Sequence, residues 1–116
     1  IGYGHVVLPH ENFDSGITKE QGMEILRNDV NIAERAVLRL INVPLEDEQF
    51  DALVSFTFNL GSGSLQTSTL RQKVNRQEHD QAPDQFRRWV YAGGRKLKGL
   101  VRRREDEALW YDSALA

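Results

Sequence analysis

The clearest pattern along the chain is the helical spacing of apolar residues in its first half. From Met23 onwards, apolar residues recur every three or four positions, which places them on one stripe of a helix: Met23, Leu26, Val30, Ala33, Val37, Leu40 and Ile41. Thr18 and Gln21 have the spacing of a capping box, in which each side chain satisfies the other residue's backbone amide. Pro44 cannot continue a helix. The pattern therefore predicts one long helix over residues 18 to about 41.

The segment before this helix has a different pattern. Glycines at positions 2 and 4, β-branched residues and Pro9 predict a short strand or hairpin. A loop rich in turn-forming residues follows, between Glu11 and Gly16. We therefore expect a small N-terminal lobe that contains β-structure, joined by the long helix to the rest of the chain.

The second half of the chain reads as helical. Apolar residues from Phe50 to Leu60 point in nearly every direction of a helix, which predicts a central helix buried on all sides. Three acidic residues at 46–48 favour its N-terminus, and Gly61 ends it. Beyond it we predict a loop over residues 62–67, a short helix capped by Ser68 or Thr69 and ending near Val74, a helix from Pro83 to Val90 broken at Gly93-Gly94, and a last helix over about residues 100–111.

These elements predict a mostly helical α+β fold in a single domain. Residues 1–17 would be the remnant of the small β-containing lobe, residues 18–42 the linking helix and residues 43–116 the helical lobe. The length of 116 residues suits one domain, and 40% apolar with 28% charged residues is typical of a folded protein. The chain has no cysteine, which excludes disulfides and thiolate metal sites, and no apolar run is long enough to span a membrane.

The charge is distributed unevenly although the net charge is only -2. Between Gln85 and Arg104 there are eight bases and no acid: Arg87, Arg88, Arg95, Lys96, Lys98, Arg102, Arg103 and Arg104. Such a segment attracts polyanions, and with Trp89 and Tyr91 inside it nucleic-acid binding is one hypothesis. No nucleic-acid-binding signature supports this hypothesis. The alternative is a solvated helix face on which Arg103 and Arg104 pair with Glu107.

Two short motifs are candidates for chemistry. The first, Gly2-Tyr3-Gly4-His5, allows close approach of a ligand or backbone, although taken alone the motif favours a tight turn with a satisfied histidine. The second, residues 58–63, places a phenylalanine beside an amide and a glycine-rich turn, which suits sugar binding; a core phenylalanine with a glycine C-cap is the alternative. The three histidines lack metal-site spacing, and no nucleotide or serine-nucleophile motif is present, so we expect no metal and no cofactor.

Taken together and in order, the motifs resemble the phage lysozymes (endolysins) of glycoside hydrolase family 24. The resemblance covers nearly the whole chain, in residues 1–5, 17–21, 49–56, 58–61, 68–70, Trp89 with 92–94, and 99–104. It implies a lysozyme-like fold and hydrolysis of the β-1,4 bond between N-acetylmuramic acid and N-acetylglucosamine in bacterial peptidoglycan. A phage endolysin is made in the host cytoplasm and acts in the periplasm or cell wall. A peptidoglycan-binding module without catalysis is the alternative.

The resemblance also assigns site residues. The family's general-acid glutamate, its second carboxylate and its threonine would all precede Ile1, so no catalytic residue is expected in this chain and we expect it to be catalytically incomplete. We further expect self-association through the docking site of a missing first helix. An arginine among 102–104 would orient the missing glutamate, and His5 would support the site from behind. The expected substrate contacts are Val6, Phe58, Asn59, Gly61 and Thr69.

Overall fold

The structure, a computed structural model, describes residues 18–114, which are mostly helical. In chain order the elements are α1 (Lys19–Leu40), α2 (Asp47–Leu60), α3 (Ser62–Gln66), α4 (Thr69–Asn75), a 3-10 turn (His79–Gln81), α5 (Ala82–Phe86), β1 (Tyr91–Ala92), β2 (Arg95–Lys96) and α6 (Lys98–Ser113). The predicted N-terminal strand, together with His5 and Val6, lies outside the described residues.

Helix α1 confirms the predicted long helix and its start signal. The Thr18 hydroxyl accepts a hydrogen bond from the Gln21 amide at 3.0 Å, and the Thr18 amide donates to Gln21 Oε1 at 2.8 Å. The helix ends at Leu40, and Ile41 has extended backbone. The apolar stripe is buried from Ala33 to Leu40, whereas Met23 is 49% exposed. The second half of α1 is therefore the part that packs onto the rest of the described chain.

Helix α2 is the central element of the fold, as the sequence predicted. It packs against both α1 and α6, and Ala52, Leu53 and Phe56 are fully buried. The Glu46 amide donates to Gln49 Oε1 at 2.8 Å, which closes the N-terminal turn. The expectation of burial on all sides was wrong, because four of its apolar side chains are only partly buried: Phe50, Val54, Phe58 and Leu60.

The predicted loop at 62–67 is in fact helix α3. Buried Leu65 anchors it, and the Ser64 hydroxyl donates to the Leu60 carbonyl at 2.9 Å, which compensates for a sequence of weak helix formers. The next helix, α4, is capped by Ser68, whose hydroxyl accepts from the Arg71 amide at 3.0 Å. Of the two candidate caps, Ser68 is thus the one used.

The helix predicted to end at Val90 stops at Phe86 instead. The chain then forms a hairpin in which Tyr91–Ala92 pairs antiparallel with Arg95–Lys96. Gly93 and Gly94 have φ of +59° and +78°, the backbone that a two-residue hairpin turn with both central residues left-handed requires. The two glycines therefore turn a hairpin rather than break a helix.

The core lies between α1, α2 and α6 and contains an aromatic cluster. Phe56 meets the rings of Phe86 and Trp89 edge-on, with centroids 5.7 and 5.5 Å apart. The Tyr111 ring lies 5.5 Å from that of Phe86. Helix α6 is longer than the predicted 100–111 and brings a stripe of residues into this core, among them an arginine.

Candidate functional site

The junction of α2 and α3, residues 58–63, is shaped by one glycine; we call it the corner. Gly61 has φ of +95°, a conformation that L side chains rarely adopt, and it lets α3 start directly where α2 ends. Its amide donates to the Thr57 carbonyl at 2.7 Å. A Cβ at Gly61 would meet no atom within 4 Å. The glycine is therefore required by backbone conformation rather than by lack of space.

The corner leaves polar backbone groups unused. Within residues 18–114, the carbonyls of Phe58 and Asn59 accept no hydrogen bond, because α2 ends before the amides that would bind them. The Phe58 ring is only partly buried. The corner thus combines an apolar ring with hydrogen-bond acceptors of fixed geometry, which is the combination expected of a sugar site.

A buried ion pair on α6 holds the Asn59 side chain. Arg104 donates to Asn59 Oδ1 through Nη2 at 2.9 Å and to Glu107 through Nε and Nη2 at 2.8 and 3.0 Å. The Ser55 hydroxyl donates to the same carboxylate at 2.5 Å. Arg104 is fully buried and Glu107 almost so. One ion pair on α6 therefore contacts two residues of α2 that are one helical turn apart.

The electrostatics of this ion pair are set by burial. Burial raises the pKa of the Glu107 carboxyl above its ordinary value, and the charge and hydrogen bonds of Arg104 and the Ser55 hydroxyl oppose the rise. The guanidinium lies 5.6 Å from the Phe56 ring centroid, which adds a cation–π contact. Arg104 Nη1 is buried and has no partner within the described residues.

The Arg104 ion pair corrects one expectation from the sequence. The solvated-face hypothesis was right that Arg104 pairs with Glu107 but wrong about where, since both side chains are inside the protein. Arg103, expected to share this carboxylate, is exposed and forms no ion pair in the part of the chain that the structure describes.

The remaining bases between Gln85 and Arg104 fall into two groups. Arg87 pairs with Asp84 and Glu105, both at 2.9 Å, and its hydrogen bond lowers the pKa of the Glu105 carboxyl. The others are exposed and without an ion pair among residues 18–114: Arg88, Arg95, Lys96, Lys98, Arg102 and Arg103. Several line an open groove of about 470 Å³ together with Val101, Glu105 and Asp106.

Thr69 lies in a different groove from the corner. It is exposed and lines a hollow of about 330 Å³ with Trp89, Gln85 and Arg88, as well as its neighbours Thr67 and Ser68. Phe58, Asn59 and Gly61 do not line this groove. Of the four predicted contact residues that lie within 18–114, the structure therefore brings three together and places Thr69 apart from them.

Two negative findings apply to residues 18–114. The structure shows no group of three or more residues able to hold a metal ion in this range. Likewise, none of its helices is long and apolar enough to cross a membrane. His79 instead forms a hydrogen bond with the buried Tyr111 hydroxyl at 2.6 Å.

Comparison with known proteins agrees with this architecture. The model of the phage lysozyme family matches residues 1–107. The chain belongs to this family. It is 41% identical over 110 residues to an endolysin of Bacillus phage B103, a match that covers 92% of this chain and 40% of that protein.

Solved structures of similar proteins share the fold. An endolysin from Escherichia coli O157:H7 phage FAHEc1 is 34% identical with a TM-score of 0.74, over 84% of this chain and 65% of that one. The muramidase domain of SpmX from Asticaccaulis excentricus is 33% identical with a TM-score of 0.73, over 82% and 67%. The chain thus has a lysozyme-like fold and spans between two fifths and two thirds of these relatives' lengths.

Proposed function

We propose that this chain forms the saccharide-binding helical part of a muramidase, which hydrolyses the β-1,4 bond between N-acetylmuramic acid and N-acetylglucosamine in peptidoglycan. The observation that carries this proposal is the corner, where a partly buried phenylalanine ring lies beside backbone carbonyls that accept no hydrogen bond from the described residues. The relatives named endolysin and muramidase domain support the same activity. The site of action would be the wall of the bacterial host.

The corner suggests how an N-acetylated sugar is held. The ring of Phe58 offers an apolar surface for a sugar face, and the carbonyls of Phe58 and Asn59 can accept from an acetamido N–H or a hydroxyl. Gly61 has open space where a side chain would stand. Thr69 would contact a more distant part of the glycan, since it lines a separate groove.

The catalytic step needs two carboxyl groups, one to protonate the leaving oxygen and one on the opposite face of the sugar. Glu107 contacts the corner through Arg104 but is buried and bonded to Arg104 and Ser55, so it is unsuited to deliver a proton to substrate. We propose that the general acid lies outside residues 18–114, where the resemblance to the family places it. Of the three candidate arginines, we propose Arg104 to orient it, because its Nη1 is buried and has no partner among the described residues.

The second candidate function is a lysozyme-like module that binds peptidoglycan without cutting it. The engagement of Glu107 in an ion pair favours it, since this removes the carboxylate next to the corner from catalysis. The two functions share a saccharide site and differ in turnover. Measuring both properties on the same chain separates them.

Binding is tested with an N-acetylglucosamine tetramer by isothermal titration. We expect Phe58→Ala to weaken binding by about fivefold or more, because a ring that stacks on a sugar contributes about 1 kcal/mol or more. Tyr91→Ala is the matched control, since Tyr91 is an exposed aromatic residue on the hairpin, 64% accessible to solvent. Equal affinity of the Phe58 variant and the parent would exclude the corner as the sugar site.

Catalysis is tested by the release of reducing ends from purified cell walls. We compare the 116-residue chain with the full-length product of its gene, and expect turnover from the full-length product. Turnover by the 116-residue chain would show that the catalytic carboxylates lie within it. Binding without turnover in both chains would establish the non-catalytic module.

A further inference from the structure

The buried ion pair of α6 holds the Asn59 side chain in one orientation. Arginine carries only hydrogen-bond donors, so the Asn59 atom facing Arg104 Nη2 at 2.9 Å must be the carbonyl oxygen Oδ1. This fixes the amide and turns Nδ2 away from Arg104. Among the described residues, Nδ2 has no hydrogen-bond acceptor, so it remains available as a donor at the corner.

The same ion pair is anchored at a second point on α2. Glu107 accepts from the Ser55 hydroxyl at 2.5 Å, and Ser55 precedes Asn59 by four residues, which is one helical turn. Glu107 also receives two donors of Arg104, Nε and Nη2. The guanidinium plane is thereby locked, and its remaining contact with Asn59 has little freedom to move.

Stability alone is a poor explanation for this arrangement. A buried ion pair is often no more stabilising than apolar residues of the same volume, because the cost of removing both charges from water offsets their attraction. This pair even leaves Arg104 Nη1 buried and without a partner among residues 18–114. A packing role would be served as well by two methionines. Two methionines could not, however, hold a hydrogen-bonding side chain at the corner in one orientation.

We propose that Glu107 and Arg104 are positioning residues for the saccharide site, which fix the Asn59 amide so that its Nδ2 donates to a carbonyl or hydroxyl oxygen of the sugar. This inference rests on the proposed function. The Asn59 amide would select a sugar that places a hydrogen-bond acceptor against Nδ2, such as the acetamido carbonyl of an N-acetylhexosamine. A sugar that places an ammonium group there would be disfavoured.

The main test uses the double variant Arg104→Met/Glu107→Met in the whole 116-residue chain. Affinity for the N-acetylglucosamine tetramer and the melting temperature are measured together. We expect the melting temperature to stay within a few degrees of the parent and affinity to fall by about tenfold or more. Glu105→Gln is the matched control, because it removes the exposed ion pair with Arg87 on the same helix; its affinity should equal that of the parent. A folded double variant that binds within twofold of the parent overturns the inference.

A second measurement does not depend on the double variant folding. Asn59→Asp keeps the oxygen that faces Arg104 and replaces the free amide by a carboxylate. We expect it to lose affinity for the N-acetylated tetramer and to gain affinity, relative to the parent, for the de-acetylated glucosamine tetramer, which carries ammonium groups. An unchanged preference between the two tetramers contradicts the inference, since a purely structural residue would not alter it. No binding of the N-acetylated tetramer by the parent would instead overturn the proposed function itself.

Discussion

Replacing Phe56 should be among the most destabilising single changes available in the described chain. Its ring is fully buried, lies edge-on to Phe86 and Trp89, and carries the Arg104 guanidinium on its face. Truncation of a buried phenylalanine to alanine costs about 3–5 kcal/mol, and each aromatic pair adds about 0.5–1.5 kcal/mol beyond buried area. We therefore expect Phe56→Ala to cost about 5 kcal/mol, near the upper end of this range.

A loss of that size approaches the whole stability of an ordinary domain, which is about 5–15 kcal/mol. The milder Phe56→Leu keeps most of the volume and removes the ring contacts, so we expect about 2 kcal/mol and a fall in melting temperature of about 8 °C. Urea unfolding followed by circular dichroism measures both variants. Phe58→Leu is the control: its parent ring is only partly buried, so the loss should stay below about 1 kcal/mol.

A double-mutant cycle with Phe86→Leu tests the cause of the loss. If the edge-to-face contact at 5.7 Å contributes as argued, the two substitutions should couple by about 1 kcal/mol. Additive effects would mean that the ring matters only through its volume. A loss below about 0.5 kcal/mol for Phe56→Leu would refute the packing described for α2, α5 and α6.

Three further predictions concern a helix cap, an ion pair and the exposed bases. Thr18→Ala should lower the free energy of unfolding by about 1 kcal/mol in urea titrations, because it removes the acceptor of the Gln21 amide; no loss would show that the first turn of α1 is not held by this cap. The lowered pKa of Glu105 means that its pair with Arg87 stabilises the fold above the ordinary carboxyl pKa of 4.5, and that this contribution is lost as pH falls below it. Melting temperatures between pH 7 and pH 3 should therefore fall less steeply in Glu105→Gln, and parallel curves would contradict the pairing. A variant in which three exposed bases are replaced by glutamine should bind intact cell walls less tightly than the parent at low salt and as tightly as the parent at high salt. The three bases are Arg95, Lys96 and Lys98.

Long helices with caps were predictable from the sequence, and glycine-rich segments were not. The start of α1 at Thr18 and the end of α2 at Gly61 follow from local chemistry that a few residues specify. Gly93-Gly94 is compatible with a helix end and with a hairpin turn, because glycine allows both left-handed and right-handed backbone. The hairpin forms because Tyr91 pairs with Lys96, and no local sequence pattern reveals this pairing.

At the candidate site, too, contacts between residues far apart in the sequence could not be predicted from local patterns. Three consecutive arginines at 102–104 span about 200° of a helix, so one of them can face the core while the other two face water. The sequence does hold a signal for Arg104: Ala108 and Tyr111 follow it at four and then three positions, the spacing of a buried stripe. Its partner Asn59 lies 45 residues earlier, and only the packing of α6 against α2 brings the two together.

Helix geometry also separates stability from binding within α2. Residues two positions apart point in nearly opposite directions, so Phe56 faces the aromatic core while Phe58 is left at the partly open corner. Asn59 lies between these directions: it is buried against Arg104, and it belongs to the turn whose carbonyls accept no hydrogen bond within residues 18–114. Variants of Phe58 should therefore change affinity with little effect on unfolding, whereas variants of Phe56 should act mainly on unfolding. Asn59 connects the core to the sugar site, which is why the ion pair that binds it can influence binding without touching substrate.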